Sequence, residues 1–211
     1  MGGEVPASLG RFQSTARTFA GWAFTLLFRL RVDGAAQVPA GGPLIVAANH
    51  RSMLDVPLLV VASPRPVTFM AKRSLFRGRL WTALFHSLGG FPVEPGTTDR
   101  GALDMGMAVL DAGAVLGVFP EGTRSFRGPM GPFLNGAAWL ALRSGAPIVP
   151  CAIVGTERPA GTGWWRWLRL RRVRISFGPP IVVGPLDGPV RRESVAALTE
   201  NVRSAVASLQ G

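Results

Sequence analysis

Apolar runs that stop abruptly at polar corners constrain this chain more than any other feature. Residues 43–48 form one such run, which ends at Asn49-His50-Arg51-Ser52. Val56-Pro57-Leu58-Leu59-Val60-Val61 follows and reads as the start of a helix, with Pro57 tolerated in its first turn. Residues 115–119 form a second run, ending at Pro120-Glu121-Gly122-Thr123-Arg124-Ser125, and residues 148–154 a third. Runs this short and this apolar read as buried strands. Strands are also expected over 67–70 and 89–93. A further one covers 173–177, where Val173, Ile175 and Phe177 alternate with Arg172, Arg174 and Ser176, so that one face is buried. Helical patterns occupy 72–88, 99–112, 136–144 and 191–209. Strands alternating with helices imply the α/β class, a single domain with a largely parallel, mixed sheet flanked by helices.

The N-terminal part reads differently. Over 11–31 a helical stripe of Phe19, Trp22, Ala23, Leu26, Leu27 and Leu30 is widened by Phe24 and Phe28, and Arg17 and Arg29 bracket its uncharged part. Eleven residues at about 1.5 Å each span roughly 16 Å, about half a bilayer's hydrocarbon core. Such a helix does not cross a membrane alone. It either lies in the membrane interface or packs as a first core helix. The expected division is therefore an apolar, membrane-associating helix over 1–33 and the α/β domain over 34–211.

Composition narrows the partners. Hydrophobic residues make up 47% of the chain and charged residues 17%, which excludes a disordered or coiled-coil protein. The net charge of +11 comes almost wholly from arginine, Lys72 being the only lysine. That balance points to an anionic partner: nucleic acid, a phospholipid surface or a phosphorylated substrate. Cys151 is the single cysteine, so there is neither a disulfide framework nor a cysteine-based zinc site, and its apolar surroundings make it a small buried residue. His86 has no acidic neighbour in sequence and reads as structural.

If the runs at 43–48 and 115–119 are parallel strands of one sheet, their polar corners open onto one crevice at its carboxyl edge. His50 would be a general base there, with Asp55 fixing its tautomer from five residues on. The alternative is that Asp55 merely caps the following helix. Arg124 presents a planar fork of donors suited to phosphate, Gly122 permits close backbone approach, and Glu121 either positions Arg124 or bonds a substrate hydroxyl. A base beside a phosphate clamp suits activation of a hydroxyl on a phosphorylated small molecule.

His50-Arg51-Ser52-Met53-Leu54-Asp55, together with Phe119-Pro120-Glu121-Gly122-Thr123-Arg124-Ser125 some 70 residues later, resembles the glycerolipid acyltransferase family of the 1-acyl-sn-glycerol-3-phosphate acyltransferase type. Ala71-Lys72, Gly90-Phe91-Pro92-Val93-Glu94 and the segment from Ile148 to Thr156 extend the likeness over roughly residues 34–183. The resemblance implies a glycerol-3-phosphate-acyltransferase-like fold. His50 and Asp55 would be catalytic, and Glu121, Gly122, Thr123, Arg124 and Lys72 would bind substrate, with Val149-Pro150 shaping the pocket. The hydroxyl of a lysophospholipid would attack the thioester of acyl-CoA or acyl-carrier-protein directly, with no acyl-enzyme, no cofactor and no metal. The implied place is the cytoplasmic face of the cell membrane, as a peripheral or monotopic protein.

Two departures bear on the acceptor. Pro95 stands where the family often has an arginine, leaving Arg100 as the nearest one downstream, and Leu134 stands where it often has a lysine. Both remove positive charge, so another lysolipid, such as a lyso-aminolipid or glycolipid, is the alternative acceptor. A non-catalytic lipid-binding protein of the same fold is the alternative in kind. No Gly-x-Ser-x-Gly elbow supports a serine hydrolase, and no Gly-x4-Gly-Lys loop supports a nucleotide enzyme. Trp164 to Arg172 interleaves tryptophan with arginine. With the region of Arg17 to Arg29 it is the expected contact with an anionic membrane surface rather than with nucleic acid, the other reading being a solvated loop.

Overall fold

The computed structural model describes residues 25, 27–72, 78, 82, 89–93, 99–124, 129–157, 172–184 and 188–211. Most of the expected 11–31 and 72–88 helices lies outside these residues, as do His86, Pro95 and the Trp164–Arg171 part of the tryptophan/arginine stretch. Among the described residues, seven strands form one sheet in the order β1-β7-β6-β2-β5-β3-β4. They are β1 (Arg31–Asp33), β2 (Leu44–Ala48), β3 (Val67–Lys72), β4 (Gly90–Val93), β5 (Val115–Val118), β6 (Ile148–Val154) and β7 (Arg174–Phe177). All neighbouring pairs run parallel except β6–β7. The helices are α1 (Asp55–Ala62), α2 (Asp99–Asp111), α3 (Gly136–Ser144) and α4 (Arg192–Ser208).

The central strand β2 shows why the apolar runs are continuous. Every residue of Leu44–Ala48 is buried. Leu44, Val46 and Ala48 join a core with Leu58 and Leu59 of α1, Phe28 and the matching faces of β6 and β7. Ile45 and Ala47 point the other way, into a core closed by Leu110 of α2, Leu140 and Ala141 of α3, and Val202 and Val206 of α4. A parallel strand covered on both faces has no polar side to alternate with. Pro57 costs little because, two residues into α1, its missing N–H falls among the unpaired donors of the first turn.

Three expectations need correction. The N-terminal helical segment does not reach residue 31: Arg29 is in the left-handed region (φ 46°), and Arg31–Asp33 form the strand β1, parallel to β7. The sheet therefore begins before residue 34, with Phe28 buried in its core. The outer face of β7 is less exposed than alternation implies. Ser176 is buried and Arg174 half-buried, with Arg174 Nη2 donating to the carbonyls of Gln210 and Gly211 where the chain leaves α4. Finally, β3 runs on to Lys72, which pairs with Val93, so Lys72 ends a strand rather than opening a helix.

Candidate active site

Because β2 and β5 are parallel, with Ala47 opposite Val118, their carboxyl ends leave the sheet side by side. The two polar corners meet there. The backbone N–H of His50 donates to Glu121 Oε1 at 2.8 Å, and the other carboxylate oxygen accepts the N–H of Gly131 at 3.0 Å. Glu121 is buried and both of its oxygens hold backbone, so the contact ties the His50 corner to the Glu121–Arg124 corner. These two backbone contacts stand beside the two roles read from sequence, positioning Arg124 or bonding a substrate hydroxyl.

Asp55 folds back onto the turn that precedes it. Its Oδ2 accepts from His50 Nδ1 at 2.8 Å, from Arg51 N at 2.6 Å and from Ser52 N at 2.7 Å. It lies in the first turn of α1 but makes no capping bond to that helix, so it organises the loop, not the helix end. The carboxylate is fully buried, and its Oδ1 has no hydrogen-bond partner among the described residues. Three donors on one oxygen fix that oxygen in place, and charge-assisted bonds of this kind are short and strong. With Nδ1 held, the imidazole presents Nε2, which makes no hydrogen bond among the described residues. The His50 side chain is 17% exposed, buried enough to be oriented and open enough to be reached.

Asn49 was not singled out by sequence, yet it anchors the corner. Its side chain is 1% exposed and bonds both ways to Ile153 of β6: Nδ2 donates to the carbonyl at 2.9 Å, and Oδ1 accepts the N–H at 2.7 Å. The amide extends the β2–β6 ladder one step beyond the end of β2. An asparagine directly after a strand and before a candidate base was the available signal. Cys151, on the same stretch of β6, is fully buried, and burial, followed by the negative charge of Asp55, pushes its thiol well up.

The clamp residues sit on a tight turn in which Gly122 N donates to the Phe119 carbonyl. Gly122 has φ +67°, the region that favours glycine, and a Cβ there would lie 2.6 Å from Leu134 Cδ1. Thr123 is exposed and Arg124 half-buried at the same corner. Leu134 is bonded in through its N–H to the Pro120 carbonyl at 2.7 Å, and its side chain is 62% exposed. Lys72 ends β3, two strands from β2, beyond β5. Val149 and Pro150 belong to β6, where Pro150 pairs with Ala47. Among the described residues no three His, Cys, Asp or Glu side chains group as metal ligands would.

Comparison with known proteins gives this geometry a family. A family model described as Acyltransferase matches residues 29–154. The 1-acyl-sn-glycerol-3-phosphate acyltransferase of Bacillus subtilis is 24% identical over 182 residues, covering 86% of this chain and 88% of that protein. The human 1-acyl-sn-glycerol-3-phosphate acyltransferase alpha is 34% identical over 178 residues, 83% of this chain but 61% of that protein. The chain spans about half the length of the chloroplast relatives from Brassica napus and Arabidopsis thaliana. The crystal structure of the 1-acyl-sn-glycerophosphate acyltransferase PlsC from Thermotoga maritima superposes with a TM-score of 0.66 at 25% identity, covering 97% of this chain and 79% of that one. The family model spans more than half of the chain and includes both polar corners that meet at one sheet edge: this chain belongs to the acyltransferase family.

Proposed function

We propose that this protein transfers a fatty acyl chain from a thioester donor, acyl-CoA or acyl-carrier-protein, to the free hydroxyl of 1-acyl-sn-glycerol-3-phosphate, giving phosphatidic acid. The observation that carries the reading is the His50–Asp55 contact at 2.8 Å beside the Glu121 corner. His50 Nε2 takes the hydroxyl proton while the oxygen attacks the thioester carbonyl. As the tetrahedral centre collapses, the C–S bond breaks and the departing thiolate recovers the proton from the imidazolium. Asp55 holds the ring in the tautomer that leaves Nε2 as acceptor and stabilises the cation that forms. General-base help of this kind is worth about 10²–10⁴ in rate, and orientation supplies much of the remainder for an already activated thioester. Thr123, Arg124 and the backbone at Gly122 would receive the acceptor's phosphate, with Lys72 contributing from the end of β3.

His50→Ala tests this directly. Purified variant and wild type are given lysophosphatidic acid with acyl-CoA or acyl-carrier-protein, and products are read by mass spectrometry. Loss of phosphatidic acid formation in a folded variant is expected, and wild-type turnover by His50→Ala would sink the mechanism. A second acceptor class is favoured by one observation, the apolar Leu134 side chain against Gly122, so the panel includes lyso-aminolipids and lysoglycolipids. The same reading puts the protein at the cytoplasmic face of the membrane as a peripheral or monotopic protein. No helix among the described residues is long and apolar enough to cross a bilayer, and Leu27, Met53 and Leu134 are large apolar side chains left exposed. Co-flotation with anionic vesicles is expected, and its absence at low salt would remove the membrane from the account.

A further inference from the structure

Against one face of the catalytic imidazole lies a run of aromatic rings for which the reaction above has no use. The Phe119 ring stacks on that of His50 with centroids 4.2 Å apart and planes 25° apart. Phe69 lies alongside Phe119 at 5.8 Å and 16°. Phe69 is itself fixed: it is 3% exposed and pairs in register with Gly117 of β5. A Cβ on residue 117 would overlap the Phe69 ring, so that ring fills the space a side chain at 117 would need. Bare backbone on β5 thus seats a ring from β3, which flanks a ring from the clamp corner, which in turn covers the base.

We propose that Phe119 stabilises the imidazolium form of His50 during acyl transfer, and that Phe69, seated over Gly117, holds the Phe119 ring in place for that role. The inference rests on His50 being the base. An aromatic face carries negative charge density and attracts a cation within about 6 Å of its centroid, a limit that the His50 stack satisfies. In the proposed transfer His50 carries a positive charge between accepting the hydroxyl proton and returning it to the thiolate. A neighbour that favours the cation over the neutral ring therefore lowers the barrier without tightening substrate binding. Asp55 acts at the ring's edge through Nδ1, and Phe119 acts on its face, so the two effects add. Phe119 is a positioning residue, since its described ring contacts are with His50 and Phe69.

The test replaces Phe119 by 4-fluoro- and 3,4,5-trifluorophenylalanine, which keep the ring's shape while withdrawing charge from its face. Rates are measured on the acceptor that the wild type turns over. Each step of fluorination is expected to lower kcat, reaching about three- to thirty-fold in total, with KM for donor and acceptor and the melting temperature unchanged. Phe119→Tyr should stay near wild type and Phe119→Leu should fall furthest. A flat kcat across the fluorinated series overturns the proposal, and so does a rise in KM at constant kcat, which would make the ring a substrate contact. His50→Ala runs in parallel. Turnover by that variant refutes the base itself, whereas an inactive His50→Ala beside a flat fluorinated series refutes only the stack.

Discussion

Replacing Glu121 by glutamine separates a carboxylate that holds backbone from one that holds substrate. In the wild type its two oxygens accept the N–H of His50 at 2.8 Å and of Gly131 at 3.0 Å, in a site 7% exposed. A glutamine amide has the same shape but only one acceptor oxygen, and its NH2 would face the second N–H as donor against donor. One bond then falls from charge-assisted to neutral, about 1 kcal/mol, and one part-buried N–H is orphaned at about 1–3 kcal/mol. Glu121→Gln should therefore lose about 2–4 kcal/mol, a fall in Tm of about 4–15 °C for a chain of this size. Because one lost anchor is the backbone of the base, kcat should drop about 10–100-fold, the scale expected when a reacting group is misplaced by an ångström. The acceptor's KM should move less than about threefold. Circular dichroism melts and initial rates over a grid of both substrates supply the numbers. A variant that melts with the wild type, or whose defect lies wholly in KM, would show that Glu121 spends its charge on substrate and refute the reasoning.

Three further outcomes follow from the same geometry. Asp55→Asn keeps the shape but removes the charge that organises His50, Arg51 and Ser52; kcat should fall roughly 10²–10⁴-fold, and a loss below about fivefold counts against Asp55 as the orienting acid. Asn49→Ala strands the N–H and carbonyl of Ile153 in the core; urea unfolding should show a loss of about 2–5 kcal/mol, and a loss under about 1 kcal/mol would mean that water or a backbone shift replaces the amide. Burial raises the Cys151 thiol above its unfolded value, so the folded state keeps a proton that the unfolded state loses. Stability is then fully present below the unfolded pKa, near pH 8.5, and falls above it by up to about 1.4 kcal/mol per pH unit. Cys151→Ala should flatten that alkaline slope in urea titrations at pH 8 to 10, and an unchanged slope would assign it to other groups.

The strands that seat the site were legible because a strand buried on both faces is an unbroken apolar run, as Leu44–Ala48 and Ile148–Val154 show. The β1 strand was not. Arg31-Val32-Asp33 is three residues long, two of them charged, and largely exposed, and it is held by pairing with β7 and not by any periodicity of its own. The reversal of β7 against β6 was equally hidden, since strand direction leaves no trace in side-chain alternation. At the site, the contact between His50 and Asp55 was legible because the pair is local, five residues apart. Glu121 was legible as part of a polar corner but not in its contact with the His50 N–H, because that partner lies 71 residues away. Phe119 was invisible for another reason: a phenylalanine closing an apolar run reads as core until a ring is found stacked on it.

These contacts make the base and the clamp one unit. His50 is held through its neighbour Asn49, which bonds to Ile153 of β6, through its own N–H by Glu121, on one ring face by Phe119, and at Nδ1 by Asp55, which also gathers the N–H groups of Arg51 and Ser52. The clamp turn shares that frame, since Glu121 belongs to it and Leu134 bonds to Pro120 within it. Displacing the clamp to suit a different acceptor would therefore disturb the base, whereas changing an exposed side chain on the clamp would not. Leu134 is such a side chain: it is fixed by its backbone, sits against Gly122, and leaves most of its surface free. In the proposed function the acceptor's head group would meet an apolar side chain there, where the family resemblance expects a lysine. On that proposal, the frame that would do the chemistry and the surface that would choose the acceptor are separable in this fold. A substitution at position 134 is then expected to change head-group preference while His50, Asp55 and Glu121 keep their geometry.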